Sequence, residues 1–248
     1  MLPRARYLQL NIDDPGDLVV SGWEWHISPQ GWSYFVNHNM RTTSWKKPIP
    51  ERPAGSLTPE CIIEGHSECI RNLACMDTSS NVMSTSEDGS IRQWTRDGKP
   101  VGKPWHGDGR SVGSIAVSPD ETMAVSGSVD GRLRLWNIKD SRVVGDPLEG
   151  HKHAVRCLDW SPNTLEIASG SQDGTVRRWD PDTGRQIGPT IETGGWVNAI
   201  KYSRQSDKFA SGGEDRTIRV WSKDGKLLIE IKGHDYSVNS LCWSKQKV

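Results

Sequence analysis

The sequence predicts an all-β fold with two modules, a small N-terminal sheet of three strands and a longer array of four-stranded sheets. Tryptophans at positions 94, 136, 179 and 221 recur every 42 or 43 residues, which indicates an internal repeat. Each closes a short alternating strand after an aspartate turn, and short strands at even spacing are typical of all-β arrays. Ahead of them, residues 22–48 carry two turn signals between aromatic and β-branched runs, which predicts three antiparallel strands.

Charge and hydropathy narrow the classes of protein to which the chain can belong. Lys+Arg and Asp+Glu both total 31, so no net field gathers nucleic acid or anionic lipid. The start, MLPRARYLQLNIDDPGD, lacks the apolar core of a secretory signal, and no apolar run is long enough to span a membrane. We therefore expect a cytoplasmic or nuclear protein that is not secreted and has neither nucleic-acid nor membrane partners.

The cysteines and histidines give no sign of a metal site or another cofactor. The five cysteines are odd in number and form no CxxC pair, which argues against a disulfide framework or a zinc ribbon. We expect reduced thiols that are mostly buried. His151 and His153 have no third or fourth ligand at a fitting spacing. No cofactor and no metal are predicted.

The N-terminal module is expected to occupy residues 18–50, after a disordered segment at 1–17. It carries Gly22-Trp23-Glu24, Tyr34-Phe35, Asn37-His38, Thr42-Thr43, Trp45 and Pro48 in that order. This series resembles a WW domain. Trp23 stacked on Pro48 would replace a conventional core, because two rigid rings bury apolar surface at little entropic cost.

The resemblance also implies a binding face for proline-rich peptides. By it, Tyr34 and Trp45 form a groove that holds proline, and Thr43 donates a hydrogen bond to the peptide backbone. Val36, His38 and Arg41 would form a pocket for a ligand tyrosine. The stretch VNHNMRTTSW is similar to the WW domains of HECT-type ubiquitin ligases and related adaptors, which select Pro-Pro-x-Tyr. The first loop, residues 28–31, lacks the arginine of phosphoserine-proline readers.

A proline-rich linker is expected at residues 51–60, between the two modules. Its composition favours a semi-extended spacer rather than a folded connection. The sequence around it contains no Pro-Pro-x-Tyr, so the groove has no good ligand in its own chain. We do not expect self-inhibition.

Residues 61–248 carry the repeats, with blade ends near Trp94, Trp136, Trp179 and Trp221. Aligned on these tryptophans, the repeats read SEDGSIRQW, SVDGRLRLW, SQDGTVRRW and GEDRTIRVW. A serine lies four residues before each aspartate, and a histidine lies 22 residues before it in the first and third repeats. The segment resembles WD-repeat β-propellers.

The resemblance implies a buried hydrogen-bond network of histidine, serine, aspartate and tryptophan. A carboxylate buried in a turn needs donors, which imidazole, hydroxyl and indole groups supply. The second and fourth repeats hold Asp108 and Thr193 at the histidine position, so we expect incomplete networks and looser blades there. The predicted networks are His66–Ser84–Asp88–Trp94 and His151–Ser169–Asp173–Trp179.

A His, Ser and Asp set also raises the hypothesis of a hydrolase triad. The same trio recurs about every 42 residues without a nucleophile elbow, and an active site does not need several copies in one chain. The structural interpretation is favoured, so we predict no catalytic residue and no enzymatic activity.

The repeats amount to about four and a half blades, which favours an incomplete propeller. The final segment, GHDYSVNSLCWSKQKV, supplies one strand of a fifth blade. Propellers close with about 4–8 blades, and an open arc leaves two exposed ends. The alternatives are a longer parent protein, a truncated product, or a four-bladed ring that closes with a spare strand.

The resemblance further implies a partner-binding face at the loops that enter the inner strand of each blade. Its candidate residues are Arg71, Arg156 and Trp196, because Trp and Arg are enriched in binding hot spots. Together the modules predict a non-catalytic adaptor or scaffold for proteins with Pro-Pro-x-Tyr segments. The alternatives are a non-catalytic subunit of a ubiquitin-ligase or other enzyme complex, and a fragment of a longer WD-repeat protein.

Overall fold

The computed structural model describes residues 63–163 and 165–243, together with the backbone of three strands nearer the N-terminus. The chain divides into two compact units, Met1–Glu60 and Cys61–Val248. Throughout this described part every regular element is a β-strand, so the all-β prediction is confirmed, and no helix there could cross a membrane. The expected disorder of residues 1–17 and the linker at 51–60 lie outside the described residues.

The first unit contains the predicted sheet of three antiparallel strands. The strands are β1 (Trp23–Ile27), β2 (Ser33–Asn37) and β3 (Thr42–Ser44), in the order β1-β2-β3. Trp25 pairs with Phe35, and Val36 pairs with Thr43. The stretches between these strands, where the two turns are predicted, lie outside the described residues.

The second unit contains four antiparallel sheets of four strands, called blades 1 to 4 in chain order. Within each blade the strands pair in sequence order, so each blade is a meander. Blade 1 comprises β4 (Ile70–Cys75), β5 (Val82–Ser86), β6 (Ser90–Trp94) and β7 (Pro100–His106), and blade 2 comprises β8 (Val112–Val117), β9 (Met123–Ser128), β10 (Leu133–Asn137) and β11 (Arg142–Leu148). Blade 3 comprises β12 (Val155–Trp160), β13 (Ile167–Ser171), β14 (Thr175–Trp179) and β15 (Ile191–Glu192), and blade 4 comprises β16 (Val197–Tyr202), β17 (Lys208–Gly213), β18 (Thr217–Ser222) and β19 (Leu227–Lys232).

The hairpin between the second and third strands of each blade turns on the residue after the predicted aspartate. In blades 1 to 3 this residue is Gly89, Gly131 or Gly174, with φ of 78°, 84° and 79°. In blade 4 it is Arg216, with φ of 64°. Glycine enters this left-handed region without a Cβ penalty, so the blade 4 hairpin carries strain that the other three avoid.

The hydrophobic core lies between consecutive blades. One cluster joins blades 1 and 2, a second joins blades 2 and 3, and a third joins blades 3 and 4. Blades 2, 3 and 4 each bring a glycine of the second strand against a valine that follows in the chain. A Cβ built on Gly127 would lie 2.5 Å from Val155 Cγ1, and one built on Gly170 would lie 2.5 Å from Val197 Cγ1. A Cβ built on Gly212 would lie 2.6 Å from Val238 Cγ1. The repeat period therefore fixes the packing of one blade on the next.

The array is open, which confirms the prediction of an incomplete propeller. Ile70 and Leu73 on blade 1 are 54% and 62% exposed, although their equivalents in blades 2 to 4 are buried. Blade 1 therefore has no preceding blade packed against it among the described residues. The alternative of a closed four-bladed ring is wrong for this structure.

The segment after β19 differs from its prediction. Residues 234–243 form no strand, although the sequence predicts one strand of a fifth blade there. Val238 is nonetheless buried, and its N–H donates to the Gly213 carbonyl at 2.9 Å. Trp243 Nε1 donates to the Lys201 carbonyl at 3.0 Å. The segment thus docks where an inner strand would begin, without a neighbouring strand to pair with.

The prediction of mostly buried cysteines is wrong for three of the four that the structure describes. Only Cys157, between blades 3 and 4, is buried, and burial raises its thiol pKa to about 12. Cys69 and Cys75 lie on or next to β4, and Cys242 lies in the final segment. Their exposure follows from the open ends of the array, where no further blade covers them.

Candidate functional site

The register of the N-terminal sheet places three predicted binding residues on one face. Tyr34 and Val36 are two positions apart on β2, and Val36 pairs directly with Thr43 of β3. Successive strand residues alternate between faces, whereas directly paired residues share one. Trp23 pairs with Asn37, which directly follows Val36 on β2, so Trp23 lies on the opposite face of the sheet. His38, Arg41 and Trp45 lie outside the described residues, and their sites remain predictions.

The predicted hydrogen-bond networks form in blades 1 and 3. In blade 1, His66 Nδ1 lies 3.0 Å from Asp88 Oδ2 and its Nε2 lies 2.7 Å from Ser84 Oγ. In blade 3, His151 makes the same two contacts, at 2.9 Å with Asp173 and at 2.7 Å with Ser169. The imidazole therefore donates to the carboxylate and accepts from the hydroxyl.

The indole end of the network is present in all four blades. Each Nε1–H donates to a buried serine Oγ at 2.8 Å. The donor and acceptor pairs are Trp94 with Ser84, Trp136 with Ser126, Trp179 with Ser169, and Trp221 with Ser211. All four serines are buried, so their hydroxyl groups are shielded from solvent.

Blades 2 and 4 lack the histidine, as predicted, but an arginine pairs with their turn aspartate. Arg134 Nη2 donates to Asp108 Oδ2 at 2.6 Å and lies 3.5 Å from Asp130 Oδ2. In blade 4, Arg219 Nη1 donates to Asp215. A buried carboxylate needs compensating charge or donors, and the guanidinium supplies both. The blade 4 network is therefore rebuilt with an ion pair. In blade 2 the buried Oδ2 of Asp130 accepts no hydrogen bond from the described residues, so that network stays incomplete, as expected.

The blade 3 network holds its aspartate charged and its histidine neutral. Burial opposes the charge on Asp173, but hydrogen bonds from Thr175, the Lys152 N–H and His151 lower its pKa to about 2. Burial also lowers the pKa of His151, and the nearby Asp173 carboxylate offsets only part of that effect. Protonation of either residue therefore opposes folding.

We expect the array to lose stability as the pH falls below about 6.5, the ordinary pKa of histidine. In that range the unfolded chain takes up a proton that folded His151 resists, so the free energy of unfolding drops. Asp173 adds a second loss from its ordinary value of 3.8 towards about 2. The measurement is the melting temperature between pH 7.5 and pH 5. His151→Gln should flatten this pH dependence, and the exposed neighbour variant His153→Gln should not. Equal slopes in the two variants would contradict the assignment.

The predicted hot-spot residues of the array lie at one end of the inner strands. Arg71 and Arg156 are the second residues of β4 and β12, and Trp196 directly precedes β16. Arg156 is exposed and Trp196 is 44% exposed. Arg71 is half exposed and forms an ion pair with Glu87, which leaves its guanidinium partly neutralised. We call this end of the inner strands the rim.

Comparison with known protein families decides the class of both modules. The family described as WD domain, G-beta repeat matches residues 57–95, 98–137, 143–180 and 188–222, more than half of the chain. The chain belongs to the WD40 repeat family. The WW domain family matches residues 20–48 ahead of the WD40 repeats.

Individual relatives match only part of the chain. Protein ROOT INITIATION DEFECTIVE 3 of Arabidopsis thaliana is 30% identical over 95 residues, covering 38% of this chain and 19% of its own length. The small ribosomal subunit protein RACK1 of Brassica napus is 33% identical over 91 residues, 34% of this chain and 28% of its length. The human BAG family molecular chaperone regulator 3 is 36% identical over 87 residues, 34% of this chain and 12% of its length. The chain thus spans less than a third of each of these relatives.

The inner strands of the WD40 blades surround a polar cavity of about 360 Å³. Within it, Lys201 Nζ of blade 4 donates to Asp159 Oδ1 of blade 3 at 2.6 Å. Burial raises the pKa of Asp159, and the Lys201 ammonium opposes this rise. The described residues include no group of His, Cys, Asp and Glu that could hold a metal ion. The cavity wall therefore carries an ion pair that joins blades 3 and 4.

Two rim features of the WD40 array were missed at the sequence level. Tyr236, two residues after His234, is 85% exposed. A polar cavity of about 410 Å³ lies between blades 2 and 3 and is lined by Arg110, Arg132 and four further residues. The Gly-His pair that begins the repeats recurs at Gly233-His234, and this pattern could have indicated that Tyr236 lies at the start of a further repeat. The second feature had no sequence signal, because it depends on how two loops of different blades meet.

Proposed function

We propose that the chain is a non-catalytic adaptor that binds proline-rich Pro-Pro-x-Tyr segments through its WW domain and a second protein through its WD40 repeats. WW and WD40 domains mediate protein–protein interactions, which supports this class of function. The observation that carries the proposal is the shared face of Tyr34, Val36 and Thr43, opposite Trp23. We propose that this shared face binds the ligand and that the face with Trp23 packs within the module.

Proline-rich peptides suit such a face for physical reasons. A polyproline II segment is already extended, so its binding orders few bonds, and its carbonyls are free to accept hydrogen bonds. In the proposed complex the rings of Tyr34 and Trp45 hold the prolines, and the Thr43 hydroxyl donates to a peptide carbonyl. Peptides that are not preorganised would lose more entropy on the same surface.

The ligand tyrosine is proposed to enter a pocket formed by Val36, His38 and Arg41. The register supports this placement for Val36, which neighbours Tyr34 along β2 and pairs with Thr43. A tyrosine ring offers apolar area together with a hydroxyl that needs a partner. His38 is the proposed partner at the far end of the pocket.

The WD40 rim is proposed as the second binding surface. Arg156 and Trp196 are exposed there, and both residue types dominate binding hot spots. Arg71 belongs to the same surface, with its charge reduced by Glu87. A partner that carries both a Pro-Pro-x-Tyr segment and a rim epitope would gain avidity, because the linker makes the second contact intramolecular.

The absence of catalysis is part of the proposal. The His, Ser and Asp sets of blades 1 and 3 use every polar atom to hold a hairpin, and their serines are buried. Catalytic triads need a reachable nucleophile and an oxyanion site. We also propose a cytoplasmic or nuclear location. The similarity to a protein named as part of the small ribosomal subunit agrees with the first of these.

His38→Ala should weaken tyrosine-bearing peptides far more than proline-only peptides. The variant removes one wall of the tyrosine pocket and leaves the proline groove intact, so we expect about a tenfold or larger loss for Pro-Pro-Pro-Tyr. Calorimetric titration of the whole chain with both peptides measures the difference. Val36→Ala, on the described face, is the matched variant and should act in the same direction. Equal losses for both peptides would remove the tyrosine-pocket assignment.

A further inference from the structure

The two ends of the WD40 array expose surfaces that are buried at every interface inside it. We define the entry face of a blade as the side turned towards the preceding blade, and the exit face as the side turned towards the following one. The entry face of blade 1 exposes Ile70 and Leu73, by 54% and 62%. The corresponding residues are buried in the other three blades: Val112 and Ile115, Val155 and Leu158, and Val197 and Ile200.

The exit face of blade 4 is open in the same sense. Ile231 lies in the outer strand β19, pairs with Ile218 of β18 and is 47% exposed. The residues at the same position of the other blades are buried against the following blade: Trp105, Leu148 and Ile191. Leu227 and Ile229 continue the apolar surface along β19, at 50% and 53% exposure. Exposed apolar strands of this kind mark interaction surfaces.

The two open faces complement each other, because each carries one half of an interface that the chain builds three times. Blades 1 and 2, blades 2 and 3, and blades 3 and 4 each join an exit face to an entry face through one hydrophobic cluster. A second copy offers an entry face to the open exit face, and an exit face to the open entry face. Two copies thus supply both missing faces.

We propose that two copies of the chain join head to tail, blade 1 of each against blade 4 of the other. Such a contact is heterologous, and it closes when the rotation between the copies brings both pairs of faces together. Two arcs of four blades make a ring of eight, within the range of about 4–8 blades in which propellers close. Both open ends are then covered.

The segment after β19 occupies part of the exit face and must leave it in the dimer. Val238 sits against Gly212, where Val155 and Val197 sit against Gly127 and Gly170. In the dimer, Ile70 of the partner copy takes this place, because it holds the same repeat position. The segment pairs with no strand. Val238 N–H and Trp243 Nε1 donate hydrogen bonds to backbone carbonyls of blade 4. The segment must also give up the Asn198–Asn239 hydrogen bond and the contact of Lys208 with the Trp243 ring before the second copy can dock.

Sedimentation equilibrium of the full chain over a range of concentrations tests the proposal. We expect a species of twice the chain mass. Leu73→Asp should raise the dimer dissociation constant at least tenfold, since it places a charge in the new interface. Val129→Asp is the matched control, because Val129 is an apolar residue on the rim of blade 2 that is 47% exposed, and it should leave the dimer intact. Melting curves establish that each variant is folded.

Val238→Asp distinguishes a specific effect on dimer formation from a general loss of folding stability. The change releases the competing segment, so we expect dimer formation to strengthen. A monomer at every concentration, or equal dissociation of the Leu73 and Val129 variants, would overturn the proposal. Weaker association of Val238→Asp would also overturn it. Titration with proline-rich peptides reads the WW domain alone, so its failure is distinguishable from failure of the dimer.

Discussion

Trp45→Ala is expected to abolish binding of both tyrosine-bearing and proline-only peptides while the three-stranded sheet remains folded. In the proposed complex the Trp45 indole is one wall of the proline groove, and tryptophans in such central positions contribute about 2 kcal/mol or more to binding. The affinity should therefore fall by about 30-fold or more. Calorimetric titration measures the loss, and amide dispersion in an NMR spectrum reports the fold.

Trp23→Ala is the contrasting variant for the same module. Trp23 occupies the face opposite Tyr34 and Val36, so its removal should unfold the sheet and collapse amide dispersion. Trp45→Phe keeps an aromatic wall and should retain part of the affinity. If Trp45→Ala unfolds the sheet, or if it binds peptide as well as the parent chain does, the groove has been placed on the wrong face.

Trp179→Ala is expected to cost about 3–5 kcal/mol of the free energy of unfolding, the range for removing a large buried aromatic side chain. Trp179 is 1% exposed within the cluster between blades 2 and 3. Its Nε1 donates to Ser169 Oγ at 2.8 Å, and its ring meets His151 edge to face at 6.2 Å. The change thus opens a cavity and breaks the network together. Urea unfolding of the full chain measures the loss.

Two further variants separate packing from hydrogen bonding at this position. Trp179→Phe keeps most of the buried area but removes the indole donor, so it should be intermediate. Trp196→Ala removes the same side chain from the rim, where it is 44% exposed, and should change stability by no more than about 0.5 kcal/mol. Comparable losses at the two positions would mean that the inter-blade clusters do not dominate stability.

The blade architecture was predictable because one short pattern sets three structural features at once. The aspartate sets the hairpin, the alternating strand sets the buried face, and the tryptophan closes it, so a single spacing yields the strand order. The four indole bonds to serine follow this pattern without exception in the four blades. Local chemistry and tertiary packing agree here, and sequence reasoning then succeeds.

The arginine ion pairs were visible in the sequence but not interpreted. Every repeat carries an arginine four residues after its aspartate, at Arg92, Arg134, Arg177 and Arg219. Only in blades 2 and 4, where the histidine is missing, does this arginine form an ion pair with the turn aspartate. Which partner wins depends on the space that the imidazole leaves, and that is a three-dimensional property.

The number of repeats predicted that the array has open ends, but it could not predict which residues cover those ends. The sequence predicts a fifth inner strand, whereas a strand needs a neighbour with which to exchange hydrogen bonds. Val238 still finds its position against Gly212, because that contact depends on shape alone. The exposure of Ile70 and Ile231 likewise follows from missing neighbours, which no local pattern encodes.

The candidate WW site was predictable as a set of residue types, and the register adds the shared face of three of them. Tyr34, Val36 and Thr43 were named by resemblance, and the pairing of β2 with β3 brings them together. The positions of His38, Arg41 and Trp45 rest on the resemblance alone. Peptide binding is therefore the property to measure first.

Calorimetric titration of the full chain with a Pro-Pro-Pro-Tyr peptide and its Tyr→Ala analogue tests the central claim most directly. The proposed groove and pocket predict saturable binding of one peptide per chain, with at least a tenfold weaker response for the analogue. No binding, or equal affinity for the two peptides, would contradict the assignment of this WW domain to Pro-Pro-x-Tyr ligands.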